Sequence, residues 1–181
     1  MPVDDATGSA RRNELLDAAY AYALEHGLAD LSLRPLASAI GSSPRVLLYL
    51  FGSKDGLLRE LLSRARADEL GALDLVRAEG DEASTVEAVW AWLAAPEHST
   101  LLVLWTEAYA RSLVEPDGAW SGFAHGTVED WLRLLDPDGT STTATLSLAV
   151  LRGAFLDLLA TSDVDRVGRG VTAYAAMLRA G

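Results

Sequence analysis

The sequence predicts an all-α protein in two parts, an N-terminal three-helix helix-turn-helix domain followed by a C-terminal helical domain. Three observations predict it. Apolar residues recur at helical spacing along most of the 181-residue chain, no alternating pattern of strand length occurs, and the segment from Ser32 to Lys54 carries the punctuation of two short helices around a tight turn.

The elements follow in order. Residues 1–9 are expected to be disordered. Over 11–26, Leu15, Leu16, Ala19, Tyr20, Ala23 and Leu24 keep the i, i+3, i+4 rule of an amphipathic helix, and Gly27 stops it. His26, at that stop, is expected to interact with the helix's C-terminal end. Ser32 is the expected N-cap of a second helix, in whose first turn Pro35 costs little because its missing N–H would have no partner there. Leu33, Leu36, Ala37 and Ile40 give that helix one apolar face, and Gly41 ends it. Ser43 and Pro44 restart the chain as N-cap and first helical residue. In this third helix Leu47, Leu50 and Phe51 share a packing face, which leaves Arg45, Val46 and Tyr49 outside.

Ser53 is expected to cap a fourth helix that buries Leu57, Leu58, Leu61, Leu62 and Ala65 and runs toward residue 70. Its N-terminal N–H groups, with Lys54, make a phosphate clamp. Gly71, Gly80 and residues 81–84 read as a looser connection. Further helices are expected over 85–94, 99–113, 121–135, 141–160 and 164–178, with breaks at Pro96, Pro116 and 137–139.

Composition sets the limits on function. Without cysteine there is no disulfide framework, thiolate zinc site or cysteine nucleophile. His26, His98 and His125 stand in no zinc-ligand spacing, and no nucleophile and base converge, so neither metal, cofactor nor enzymatic activity is expected. The N-terminus lacks the features of a signal peptide and no apolar run reaches a membrane span, which predicts a cytoplasmic protein without membrane attachment. The net charge of −11 opposes DNA binding at first sight. It divides unevenly: residues 1–66 hold 8 basic and 8 acidic side chains, while residues 67–181 hold 7 and 18. The acidity therefore belongs to the second part, and the expected domains are 1–66 and 67–181. A helical small-molecule-binding or scaffold protein with no DNA role is the competing reading, and the charge is its best argument.

The Ser32 to Lys54 segment resembles the DNA-binding region of TetR-family transcriptional regulators at Ser32, Leu36, Ala37, Gly41, Ser43, Tyr49, Phe51, Ser53 and Lys54, and the likeness extends to Leu57. Residues 11–26 and Gly27 are similar to the family's first helix and its stop. One departure stands out: Leu48 and Leu50 occupy places where the family often has Tyr and His. The resemblance implies a repressor that binds a palindromic operator in double-stranded DNA as a homodimer and is released by a small-molecule effector. The implied DNA-binding residues are Ser32, Arg34, Ser43, Pro44, Arg45, Val46, Tyr49, Ser53 and Lys54, with Arg45 placed to meet base edges.

All five tryptophans fall in the second part. The resemblance places an effector site there, which suggests a pocket for an apolar or aromatic molecule lined by Trp105, Tyr109, Trp90, Phe123 and Trp131; the alternative is that these rings simply fill a helical core. Glu107 could hydrogen-bond such a ligand or stay solvated. The resemblance also implies a four-helix dimer interface from the last two helices, with Leu146, Ala149, Val150, Gly153, Val167, Val171 and Tyr174 as the contact residues.

Overall fold

A computed structural model of the chain describes residues 4–28, 31–76 and 81–180, with side chains over 9–28, 31–71 and 81–180. These residues are helical and contain no strand. The helices are α1 (Asp4–His26), α2 (Leu33–Ala39), α3 (Pro44–Phe51), α4 (Lys54–Val76), α5 (Glu82–Leu93), α6 (Ser99–Val114), α7 (Phe123–Leu135), α8 (Ala144–Thr161) and α9 (Val164–Ala180), with one 3-10 turn at Pro96–His98.

The departures from expectation have local causes. Residues 1–3 lie outside the described residues, but α1 begins at Asp4 rather than near residue 11. α4 continues through Gly71 to Val76, so that glycine is helical and not a linker. Gly80 lies outside the described residues. Residues 81–84 open α5: the Asp81 carboxylate accepts from the backbone N–H of Ser84 at 2.8 Å, as an N-cap does. α8 begins at Ala144, three residues late, because Ser141 acts as the capping group. Its Oγ accepts from the backbone N–H of Thr143 (3.1 Å) and of Ala144 (3.0 Å).

The chain divides into two compact units, residues 1–67 with 103–124 and residues 68–102 with 125–181. The first break falls beside the expected 66/67 boundary, and most of α6 groups with the N-terminal unit. That unit buries Leu15, Ala19, Tyr20 and Ala23 of α1, Leu36 and Ala37 of α2, Leu47 and Phe51 of α3, and the full expected row of α4.

In the second unit α5 packs against both α8 and α9, which also pack on each other. Arg179 of α9 forks onto Glu87 of α5 at 2.6 and 3.0 Å, and Arg166 forks onto Asp157 across the α8–α9 turn at 2.7 and 2.8 Å. By length and composition α8 is long and apolar enough to cross a membrane, contrary to the expectation that no run reaches a membrane span. Its Ala144, Ser147, Leu148, Leu151 and Phe155 are nevertheless buried within the unit.

Glu82 ties three helices together. Its Oε2 accepts from the hydroxyls of Ser141 and Thr143, each at 2.7 Å, and its Oε1 accepts from Ser147 at 2.5 Å. Because Ser147 spends its proton on Glu82, the Tyr174 hydroxyl donates to Ser147 at 2.8 Å. Burial pushes the Glu82 carboxyl up, but the three hydroxyl donors together outweigh it and hold the group below its ordinary 4.5. A carboxylate with a lowered folded-state pKa stabilises above its unfolded value, and that contribution is lost as pH falls through the folded one. The urea midpoint should therefore fall below about pH 4.5. Glu82→Gln should cost about 1–3 kcal/mol at neutral pH and flatten that acid limb. An acid limb of unchanged steepness in the variant would remove Glu82 as its cause.

Candidate nucleic-acid interface

The α2–α3 turn is built by backbone capping more than by side chains. Ser32 has the extended backbone of an N-cap, but its side chain makes no capping bond, contrary to expectation. The exposed Oγ meets water at little cost. At the other end Gly41 takes φ +63, and the N–H of Ser42 returns to the carbonyl of Ala37 at 2.8 Å, closing the helix. Ser43 does cap α3, accepting from the backbone N–H of Val46 at 3.3 Å, with Pro44 at the first helical position.

α3 is thereby fixed with Leu47 and Phe51 inward and Leu50 half-buried. Arg45, Val46, Leu48 and Tyr49 are exposed, Tyr49 to 86%. Among the expected DNA-facing residues, Ser32, Arg34, Arg45, Val46, Tyr49, Ser53 and Lys54 are exposed, while Ser43 and Pro44 are half-buried because they form the cap. Leu48, read from sequence as a lost polar contact, adds carbon to the outward face.

The α3–α4 junction is tight. Gly52 takes φ +76, and the Ser53 Oγ accepts from the backbone N–H of Gly56 at 2.9 Å. A Cβ on Gly56 would stand 2.1 Å from the Phe51 carbonyl oxygen, so only glycine lets the two helices turn this closely. Lys54, the single lysine of the chain, is the first residue of α4 and is exposed there.

Not every N-terminal cation is available to a ligand. Arg12 pairs with Glu60 and lies 5.1 Å over the Phe51 ring, and Arg64 pairs with Asp17 at 3.2 Å, so both bind α4 to its own unit. Arg11 pairs with Glu14 at 2.7 Å on the surface. One structural role is not legible in the sequence. The Glu107 carboxylate accepts from the backbone N–H of Leu28 at 2.8 Å, just after Gly27 at φ +80, so it anchors the end of α1 rather than standing solvated. His26 stacks on Tyr22, its ring centroid 4.0 Å away, and its Nδ1 donates to the Tyr22 carbonyl at 3.0 Å, which is the expected C-terminal role.

The five aromatic residues expected to line one pocket separate into the two units. Trp105 stacks on Tyr109 with centroids 4.9 Å apart and meets Phe123 edge-on at 6.4 Å, all within the N-terminal unit. In the other unit Trp131 is buried and donates its indole N–H to the buried carboxylate of Glu69 at 2.8 Å. Trp90 lies where a Cβ on Gly168 would come within 3.3 Å of its Nε1, so it is a packing surface for α9. Of the expected dimer residues, Leu146, Ala149 and Gly153 are exposed and Val150 is half-buried. Val167, Val171 and Tyr174 are buried within their own unit, because α9 turns that stripe inward toward α5 and α8.

Among the described residues no cluster of three His, Asp or Glu side chains could hold a metal ion. A cleft of 320 Å³ lies on the outer side of α4, lined by Arg59, Leu62, Ser63 and Arg66 together with Ala119, Ser121, Gly122 and Phe123.

Residues 15–61, which span most of α1, all of α2 and α3 and the start of α4, match the family described as bacterial regulatory proteins, tetR family. Over that stretch the chain is similar to TetR-family regulators. It is 37% identical over 90 residues to the HTH-type transcriptional repressor KstR2 of Rhodococcus jostii (strain RHA1), a stretch covering 49% of this chain and 44% of that protein. Its fold is similar to that of a candidate transcriptional regulator from Streptomyces coelicolor A3(2), with a TM-score of 0.76 at 23% identity over 93% of this chain and 97% of that one. It is also similar to the multidrug binding protein EbrR complexed with imidazole, with a TM-score of 0.71 at 26% identity over 92% and 89%. The turn into α4 makes a specific demand on the sequence. Gly56→Ala should destabilise by about 1–3 kcal/mol, since the added methyl has only backbone to displace. A thermal melt coincident with the parent's would contradict the close approach.

Proposed function

We propose that this chain is a TetR-family repressor that binds a palindromic operator as a twofold dimer and leaves it when a small molecule binds. The observation that carries the DNA-binding reading is α3: a capped, short second helix of a helix-turn-helix whose outward surface is Arg45, Val46, Leu48 and Tyr49. The second helix of such a pair enters the major groove and reads bases from its N-terminal end. Arg45 is there, and a guanine offers it two acceptors; the carbon of Val46, Leu48 and Tyr49 suits thymine methyl groups. The half-site should therefore pair a guanine with neighbouring thymines. Arg34, Ser53 and Lys54 take phosphate oxygens around it, assisted by the N-terminal N–H groups of α4. Repression is the reading supported by the likeness to KstR2.

Dimerisation rests on α8. Although the helix is strongly apolar, only 28% of it is buried within the chain. Its outward stripe of Leu146, Ala149 and Gly153 lies at helical spacing, and α9 exposes Gly170, Ala173 and Met177 in the same way. Small residues on both helices let two copies approach closely, and a twofold axis gives two recognition helices for two half-sites. The proposed effector is supported by the likeness to EbrR, whose structures hold imidazole and proflavin. The ligand acts by preferring a dimer whose α3 helices do not match the operator spacing, so affinity falls by that difference. The protein acts in the cytoplasm, where its DNA is.

Two measurements test these assignments. In a binding titration with DNA from beside the protein's own gene, Arg45→Ala should weaken binding by about 1–3 kcal/mol and relax the preference at one base pair. Lys54→Ala should instead weaken all sequences alike and lower the salt slope by about one. Equal affinity of the parent for operator and competitor DNA would end the regulatory reading. For the interface, Gly153→Arg adds a long cation where a Cβ would meet nothing within 4 Å, so the subunit should stay folded. Light scattering should find half the parent mass, and an unchanged mass would move the interface off α8.

A further inference from the structure

The cleft on the outer side of α4 has a composition at odds with the rest of the chain. The protein carries a net charge of −11, yet the cleft is lined by two arginines, two serines, a phenylalanine and small or aliphatic residues, with no carboxylate. Its α4 wall is Arg59, Leu62, Ser63 and Arg66, which recur at i, i+3, i+4 and i+7 and so form one stripe about 10.5 Å long. The opposite wall is Ala119, Ser121, Gly122 and Phe123, whose backbone turns sharply at Gly122 with φ +75.

Arg59 keeps its charge for a ligand. Among the described residues no ion pair engages Arg59, and its neighbour Glu60 is held by Arg12. A second hollow, lined by Phe51, Gly56, Arg59, Glu60 and Ser63, adjoins the first through Arg59 and Ser63, so the exposed Arg59 guanidinium stands between the two. Leu62 and Phe123 supply a buried apolar floor next to it. A guanidinium binds a carboxylate or phosphate through paired N–H donors, and a local positive site in an acidic protein is where an anion concentrates.

We propose that this cleft binds a small organic anion, its carboxylate or phosphate head on Arg59 and Arg66 with Ser63 and Ser121, and its apolar body on Leu62 and Phe123. As the place where an effector acts it rests on the regulatory reading; as a binding site it does not. All of its residues belong to the unit that carries α3, and Arg59 follows Lys54 by little more than one turn of the same helix. An anion seated there would act on the helix that holds the phosphate-binding end.

The test is a calorimetric titration of the full chain, without DNA, against octanoate, octyl phosphate and octan-1-ol. At least one of the two anions should saturate the parent, and which one does identifies the head group; the alcohol should not saturate over the same range. Replacing both arginines (Arg59→Gln with Arg66→Gln) should weaken the anion about tenfold or more, as expected for the loss of charge-assisted bonds. Ser121→Asp, at an exposed position, should do the same by repulsion and serves if the double variant folds poorly. Absence of saturable binding by either anion, equal binding of the alcohol, or indifference to both substitutions would overturn the proposal. Anion binding by a chain that ignores DNA would sink the regulatory reading and leave the cleft standing.

Discussion

The buried row on α4 is the constraint from which the N-terminal unit follows. Leu57, Leu58, Leu61, Leu62 and Ala65 are almost fully removed from water. Each buried leucine contributes about 1.5–3 kcal/mol, so the row outweighs any surface ion pair in the unit. Fixing that face fixes the others. Lys54 is held at the N-terminal end, Glu60 is turned to Arg12, and Arg59, Ser63 and Arg66 are left on the cleft side. The tight entry at Gly56 then sets where α3 lies relative to α4, since no side chain separates their backbones there.

Charge is used in the two units for different purposes. In the N-terminal unit several arginines are spent internally, Arg12 on Glu60 and Phe51 and Arg64 on Asp17, leaving a short set on the α3 surface and another in the cleft. In the second unit the acidic excess is partly structural. Glu82 gathers three hydroxyls, Glu69 receives the Trp131 indole, and Asp157 and Glu87 are held below their usual range by hydrogen bonds from Arg166 and Arg179. The net charge that seemed to argue against DNA binding therefore says little about the surface that α3 presents.

How well a feature could be read in the sequence depended on whether its physics is local. Helix starts at Pro44 and stops at Gly27 and Gly41 follow from backbone preferences of one or two residues, and periodicity assigned the inward faces of α1, α3 and α4. Ser32 and residues 81–84 show the limit of that reasoning. A capping residue type does not oblige its side chain to cap, and a polar tetrad can be a helix's first turn as easily as a linker. Trp90 and Trp131 were grouped with Trp105 by residue type alone, whereas their partners, Gly168 and Glu69, are 78 and 62 positions away in the chain.

The sequence by itself determined the all-α class, the helix-turn-helix and its outward residues, because these depend on spacings of three and four residues and on the conformational limits of Gly and Pro. Tertiary structure alone decided which of two equally apolar stripes is core. Val167, Val171 and Tyr174 went inward while Leu146, Ala149 and Gly153 stayed out, a choice made by the helices packed alongside and not by the residues themselves. It also decided that Arg59 and Arg66 would face Ser121 and Phe123. Helical spacing puts the two arginines on one face, but only the folded chain brings the opposite wall to them.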